Sequence, residues 1–318
     1  MIYVAWAVFL LSFFAAGVGS QALVTLNLSD RFDEQLQARY IALGGIQVTA
    51  LAIAHDHTPT VDVLSDSWVD NPGVFQDHPL MGGSFHVMSG RTAIGEPRYG
   101  VEDEERRINL NTTPAIVLER LLETTGGLPP REASDTAAAI EDWRDQDTDE
   151  RQGGAERFYY QSLSDAYDCQ DGPFENIEEL LLVKGITPEV YRRLAPWVTV
   201  YGSGRINLNT AGPAVLRALG LSETGVAGVE LFRAGEDNAE GTSDDRQFIA
   251  VGSLASDLKT YVLAEDLAHL TQLATDVLTV RSTAFRVALD AEYHHPSSVA
   301  HVLCVMDRQG TVQLWTER

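Results

Sequence analysis

Arg107-Ile108-Asn109-Leu110-Asn111-Thr112 recurs as Arg205-Ile206-Asn207-Leu208-Asn209-Thr210, and how these two stretches are read decides how the chain is organised. Each alternates apolar and polar residues, as a short extended entry does, and hands over through a Thr to a run spaced like a helix. The runs are Ile116, Val117, Leu118, Leu121 and Leu122 after the first copy, and Val215, Leu216 and Leu219 after the second. The pattern predicts a strand-like entry, a Thr N-cap and an amphipathic helix in each. Two copies 98 positions apart (205 minus 107) imply two related helical subdomains, because a solenoid needs more and shorter repeats.

Outward from the first copy, the acidic run Glu102-Asp103-Glu104-Glu105 reads as a solvated turn with no spacing that demands a cation. Beyond it, Asp142-Trp143-Arg144-Asp145-Gln146-Asp147-Thr148-Asp149 is followed by Gly153-Gly154-Ala155-Glu156 and the aromatic cluster Phe158-Tyr159-Tyr160. Oxygens at every second or third position, glycines for a sharp turn, and a Glu that reaches back suit a hard cation that wants 6 to 8 oxygen ligands. Asp142, Asp145, Asp147, Asp149 and Glu156 are the expected Ca2+ ligands, although the spacing is not that of an EF-hand. A solvated acidic loop is the competing reading. Asp237, Asn238, Glu240, Asp244 and Asp245, in the polar loop after the second copy, offer a weaker second Ca2+ site.

Ile177 to Leu194 reads as two helices across a Gly185-Ile186 turn, with Thr187 as cap and Pro188 at the first helical position. This is helix-hairpin-helix spacing, which elsewhere grips DNA phosphates. Glu178, Glu179 and Glu189 flank the turn, and the chain carries 23 Lys and Arg against 46 Asp and Glu, a net charge of −23 that repels phosphate backbones. The hairpin therefore reads as packing scaffold, with a membrane-anchored DNA-binding protein as the alternative. Phe248 to Leu273 is expected to be helical.

At the other end of the chain, no charged residue occurs from Met1 to Leu28, and Ile2 to Val18 is dense in Val, Phe, Leu, Trp and Ala. Roughly 20 apolar residues span a bilayer core as a helix, so residues 1–28 form an expected transmembrane segment. A removable signal peptide is disfavoured, because no basic region precedes Ile2. Apolar residues continue at three- and four-residue intervals to Leu51, predicting one helix of about fifty residues, amphipathic in its second half. Gly44-Gly45 within it costs about 1 kcal/mol per glycine, which close approach of another backbone would offset.

Strands are expected at Gly82 to Gly90 and Val61 to Leu64, and a three-stranded meander at Leu278 to Tyr293, Val299 to Met306 and Thr311 to Trp315, with Asp307 to Gly310 as the last turn. The meander needs cover for its apolar face, and the amphipathic helix supplies it. His55, His57, His78 and His86 lack metal-ligand spacing and read as loop histidines. Cys169 and Cys304 could pair or stay free. With 44% apolar residues in 318, the chain can bury a sizeable core. No nucleophile elbow, His-Glu-x-x-His or phosphate-cradling glycine loop is present, so no enzyme is expected. An acidic, calcium-dependent secreted enzyme is a further rival.

Several of these stretches occur together in one known family. The uncharged N-terminal helix continuing into Gln37-Ala38-Arg39-Tyr40-Ile41-Ala42-Leu43-Gly44-Gly45, the Asp142 to Asp147 stretch, Gly154-Ala155-Glu156 with Tyr159-Tyr160, Phe174 to Leu180, and both Ile-Asn-Leu-Asn-Thr copies resemble protein K of the type II (general) secretion pathway. The resemblance implies a minor pseudopilin and an α+β fold. That fold has a long N-terminal transmembrane helix packed on a small antiparallel sheet, with a large inserted helical domain of two SAM-like or helix-hairpin-helix-like repeats. The expected divisions are 1–28 (transmembrane), 29–106 (amphipathic helix and first strands), 107–203 and 204–275 (helical subdomains) and 276–318 (final strands). It also implies single-pass anchorage in the inner membrane with most of the chain in the periplasm. The implied partners are the I and J minor pseudopilins at a pseudopilus tip and possible exported substrates, and the implied ion is calcium in the helical domain. Precursors in this family begin with a short basic leader ending in Gly, whereas Met1 already lies in the apolar run, so either a leader is encoded upstream or the sequence is near its mature form. Ile2 to Ser12 contain no carboxylate, which suits a subunit with no neighbour above it.

Overall fold

The computed structural model describes residues 1–56, 58–91, 95–293 and 295–317. Its N-terminal element is one unbroken helix, α1 (Ile2–Ala54). The described side chains up to Asp33 are exposed, and burial then starts at Ala38 and recurs at Ile41, Ala42, Ile46, Thr49 and Ile53. That is the three- and four-residue period of one helix face laid on a support. By length and composition, one helix is apolar enough to cross a membrane. Among the described residues that candidate span is Asn27–Ala54, 39% of whose apolar window is buried in the protein, and Ile2–Val18 before it is a shorter apolar stretch whose side chains are exposed.

The support is an antiparallel sheet. After a short helix α2 (Pro72–Phe75) come β1 (His78–Leu80), β2 (Gly83–Arg91), β3 (Pro97–Tyr99) and β4 (Glu102–Asp103), and the chain ends with β9 (Ala284–Tyr293), β10 (His295–Asp307) and β11 (Val312–Glu317). The order is β1-β2-β9-β10-β11, with β3 on β2 and β4 on β9. The expected meander is present, except that its first strand starts at Ala284, since Leu278–Thr279 pairs instead with Ile206–Asn207, and Gly310 closes the last turn with its amide on the Asp307 carbonyl at 3.0 Å. Val61 to Leu64 is not a strand; it is irregular chain leading into a turn, pinned by Asp66, whose carboxylate accepts from the Val63 amide at 2.9 Å.

Gly44 and Gly45 lie where the helix meets this sheet. A Cβ on Gly44 would stand 2.7 Å from Leu80 Cδ2, and one on Gly45 would stand 2.7 Å from Leu289 Cδ1 and 3.0 Å from Phe85 Cγ. The compensation for two helical glycines is thus sheet side chains rather than the expected backbone. Ile41, Ile46, Phe85, Val87, Phe285 and Leu289 form the centre of this first core.

Between β4 and β9 the chain makes a long excursion. It departs and returns at adjoining rungs, since Asp103 faces Phe285 in the ladder, so the excursion is an insertion into the sheet sequence. It contains β5 (Ile108–Asn109), α3 (Ala115–Thr124), α4 (Pro130–Arg144), α5 (Arg157–Gln161), α6 (Pro188–Leu194), β6 (Val198–Thr199), β7 (Ile206–Asn207), α7 (Pro213–Ala218), α8 (Glu223–Arg233), α9 (Leu254–Asp257), α10 (Ala264–Leu273) and β8 (Leu278–Thr279). Each Ile-Asn pair forms a two-residue parallel bridge, β5 with β6 and β7 with β8, and one continuous core spans both lobes.

Two expected helices differ. Ile177 to Leu182 is a 3-10 helix closed by a capping box between Asn176 and Glu179. Phe248 to Leu273 is broken between α9 and α10. There the Tyr261 ring turns in to meet Phe232 edge-on at 5.4 Å, and its carbonyl presses on Gly228, where a Cβ would be 2.2 Å away. Cys169 and Cys304 are both free, one in each core.

Candidate metal centre in the helical insertion

The two Asn-Leu-Asn copies build their lobes with the same circuit. In the first, Asn109 Oδ1 accepts the Asn111 amide at 2.9 Å, while the Asn111 side chain pairs both ways with the Phe174 backbone at 2.7 and 3.0 Å. In the second, Asn207 Oδ1 accepts the Asn209 amide at 3.0 Å, and Asn209 pairs both ways with the Phe248 backbone at 2.8 and 3.1 Å. Arg144, ending α4, donates to the Leu110 and Thr113 carbonyls; Arg233, ending α8, donates to those of Leu208 and Ala211. In each lobe the acidic loop runs from this Arg to this Phe. The two expected cation loops therefore occupy equivalent places.

The first loop gathers its acids. Ligand atoms of Asp145, Asp147 and Glu156 lie within 4.8 Å of one another. Glu156 is 2% exposed and neither of its oxygens has a protein partner; the same holds for one oxygen each of Asp145 and Asp171. Burial, then the negative charges of Asp142, Asp171 and Asp145, pushes the Glu156 carboxyl up to about 7. Hard oxygen donors that repel one another and lack donors suit a divalent cation such as Ca2+, so these residues fit the expected ion.

The other two expected ligands are placed differently. Asp142 is buried, and its carboxylate accepts from the Ala155 amide and the Arg151 guanidinium, both at 2.8 Å. It holds the loop in shape, and a Cβ on Gly154 would stand 2.0 Å from Asp142 Oδ2. Asp149 is exposed and gives its amide to Asp147 Oδ1 at 2.9 Å. Lys184 Nζ clamps the Gly153 and Gly154 carbonyls at 3.0 and 2.8 Å, and Trp143 and Tyr160 meet edge-on at 5.2 Å beneath. Asp171 joins the acids from a loop distant in sequence, and its positive φ of 48° is the local sign of a constrained turn.

In the second loop the acids are engaged by the protein itself. Asp244 accepts the Glu236 and Asp237 amides at 2.7 and 3.1 Å and the Thr242 hydroxyl at 2.7 Å, which, the hydroxyl first, hold its carboxyl down at about 2. Asp245 accepts the Gly241 amide at 2.7 Å, Asp237 that of Ala239 at 2.8 Å, and Glu240 pairs with Arg233 at 2.6 Å. Asn238 occupies the turn with φ 59°. Among the described residues this loop contributes to no cluster of three acids with ligand atoms drawn together.

The run Glu102 to Glu105 is not the solvated turn expected. Asp103, Glu104 and Glu105 are buried at the junction of the sheet and the insertion. Burial acts to raise Glu104, but hydrogen bonds from Arg286 at 2.6 and 3.0 Å and the charges of Arg107 and Arg286 win and hold it below the usual range. Glu105 accepts the Thr283 and Ala284 amides at 3.0 and 3.1 Å and the Ser203 amide at 3.0 Å. Asp103 accepts from Thr210 at 2.5 Å and Asn207 at 3.0 Å, both in the second repeat. Spacing could not reveal these roles, because the donors from Ser203, Asn207, Thr210, Thr283, Ala284 and Arg286 are all more than ninety positions away. Of the four histidines, His57 lies outside the described residues; His55 bonds the Leu51 carbonyl, His86 faces Asp290 at 3.4 Å, and His78 lies on Phe85 with ring centres 5.2 Å apart.

Fold and site together define an α+β protein whose N-terminal apolar helix lies on an antiparallel sheet and whose sheet sequence is interrupted by an acid-lined helical insertion. Residues 101–203, the junction and first lobe, match the family described as type II secretion system (T2SS), protein K, first domain. The resemblance to protein K is shown again by relatives named type II secretion system protein K. The one from Klebsiella pneumoniae is 29% identical over 206 residues, 58% of this chain and 58% of that protein. The one from Aeromonas hydrophila is 26% identical over 230 residues, 64% and 68%, and the one from Pseudomonas aeruginosa is 30% identical over 208 residues, 58% and 56%. The match thus spans little more than half the length of the Klebsiella relative. A chain of the GspK-GspI-GspJ complex from the enterotoxigenic Escherichia coli type 2 secretion system shares the fold, with a TM-score of 0.66 at 19% identity over 92% of this chain and 99% of that one.

Proposed function

We propose that the chain is a minor pseudopilin of a type II secretion system, a structural subunit that caps a periplasmic pseudopilus together with I- and J-type minor pseudopilins. In this reading residues 1–28 anchor it in the inner membrane, the rest lies in the periplasm, and it supports protein export by contact rather than by catalysis. The observation that carries it is a second apolar stripe on α1. Opposite the face laid on the sheet, Phe32, Leu36, Tyr40, Leu43 and Leu51 are exposed, between 36% and 66%. Phe32 and Leu36, with Gln35, Arg39, Val299, Ala300 and Glu317, line an open groove of about 520 Å³ beside the edge strand β11. An apolar stripe continuous with a membrane anchor suits the long helices of small pilin-like subunits, and the GspK-GspI-GspJ complex supplies the kind of partner.

Calcium at Asp145, Asp147 and Glu156 is the second part of this reading, as a structural ion that neutralises the crowded carboxylates and fixes the first lobe. The DNA-binding alternative has no support in the geometry. A Cβ on Gly185, in the hairpin turn, would stand 2.1 Å from Thr136 Oγ1, so the turn is packed against α4. The test is co-expression of the full chain with I- and J-type subunits and extraction in mild detergent. A stoichiometric complex is expected, and Phe32→Asp with Leu36→Asp should abolish it while leaving the melting temperature of the chain unchanged. Failure of the wild-type chain to co-elute with either partner would contradict the proposal.

A further inference from the structure

Glu156 belongs to two clusters. Besides its triad with Asp145 and Asp147, its ligand atom lies within 4.8 Å of Cys169 Sγ and an Asp171 carboxylate oxygen, which lie equally close to each other. Cys169 is 6% exposed and Glu156 2%, and both oxygens of Glu156 and one of Asp171 have no hydrogen-bond partner. For a hard cation the sulfur adds nothing, since Ca2+ takes oxygen. Two carboxylates and a thiolate are, however, a ligand set for a borderline or soft dication that accepts tetrahedral geometry, with water as the fourth ligand.

We propose that Glu156, Cys169 and Asp171 bind a thiophilic divalent cation, Zn2+ in the first instance, and that this ion excludes Ca2+ from the neighbouring triad because both need Glu156. The site itself stands without the calcium reading; the competition rests on it. Binding is proton exchange: the Sγ–H bond breaks, the sulfur lone pair forms the S–Zn bond, and the proton leaves to solvent with no change of oxidation state. The ion's two positive charges then offset most of the three negative charges that Glu156, Asp171 and the thiolate bring together, leaving the site at −1 with water as the neutral fourth ligand.

The test uses the full chain in detergent, stripped with chelator and kept reduced with a phosphine. Cd2+ stands in for Zn2+ and is followed by its ultraviolet thiolate-to-cadmium charge-transfer band, while Zn2+ affinity is read by competition with a chromogenic chelator. One equivalent of Cd2+ should raise the band in the wild type and in Cys304→Ser but not in Cys169→Ser, whose Zn2+ affinity should fall by at least about tenfold. Asp171→Asn should weaken Zn2+ without removing the band, and Cys169→Ser should keep whatever melting rise Ca2+ gives the wild type. Absence of the band in the wild type, its persistence in Cys169→Ser, or unchanged Zn2+ affinity in that variant would overturn the site. Unaltered Zn2+ affinity in excess Ca2+ would overturn the competition. Should Ca2+ give no melting rise in any form, the calcium reading fails and the competition with it, while the band still decides the site.

Discussion

At the scale of single residues, Glu156 carries the most consequence, because it is a buried carboxyl with no protein donor and three acids around it. Its folded value of about 7 lies above the ordinary glutamate value, so the folded chain binds this proton more tightly than the unfolded one does. Without metal, stability should therefore fall as the pH rises from about 5 to about 7 and level off above that. On the proposed calcium reading Ca2+ competes with that proton, so the rise in melting temperature it causes should be small near about pH 5 and full near about pH 8. Glu156→Gln should raise the stability of the chelated chain near about pH 8 by about 1–3 kcal/mol, by removing an uncompensated charge, and should abolish the calcium response. Scanning calorimetry with and without chelator reads both effects, and a destabilised Gln variant that still responds to Ca2+ would refute them. The clustering of Asp145, Asp147 and Glu156 was legible in the sequence because their spacing sits within one loop. Asp142, expected beside them, has its oxygens taken by the Ala155 amide and Arg151, while Asp171 and Cys169 are brought near Glu156 only by the fold.

At the scale of elements, α1 was the most legible, since its period and composition stand in the sequence from Ile2 to Leu51. What the sequence could not assign is which apolar stripe meets the sheet and which stays bare; both recur at helical spacing. The glycine pair marks the covered side. Gly45→Val would drive a side chain into Leu289 and Phe85 and should cost about 1–3 kcal/mol in chemical denaturation of the full chain, whereas Leu43→Ala on the bare side should cost well under about 1 kcal/mol. Equal losses at the two positions would mean that α1 is seated differently. The Asn-Leu-Asn copies were legible as repeats, and their shared Arg-to-Phe circuit explains why the repeat persists while the loops between differ in length. The elements that escaped are those settled by distant partners, namely the buried acidic run at the junction and the break in the helix expected through Tyr261.

At the scale of the whole molecule, the chain is a rod with a head. The sheet grips the second half of the rod, and the insertion leaves and re-enters the sheet at adjoining rungs, so a large acidic head can be added without disturbing the grip. Glu104, Glu105 and Asp103 join head to sheet through Arg286, Thr283 and Asn207. On the proposed reading the bare stripe from Phe32 to Leu51 is the surface left for a neighbouring subunit. Photocrosslinking in intact membranes tests this most directly, with the crosslinker placed at Leu36 on the stripe and, as control, at Ile116 on the exposed surface of the insertion. The account predicts adducts to small pilin-like subunits from Leu36 and none to them from Ile116; adducts to those subunits from Ile116 but not from Leu36 would contradict it.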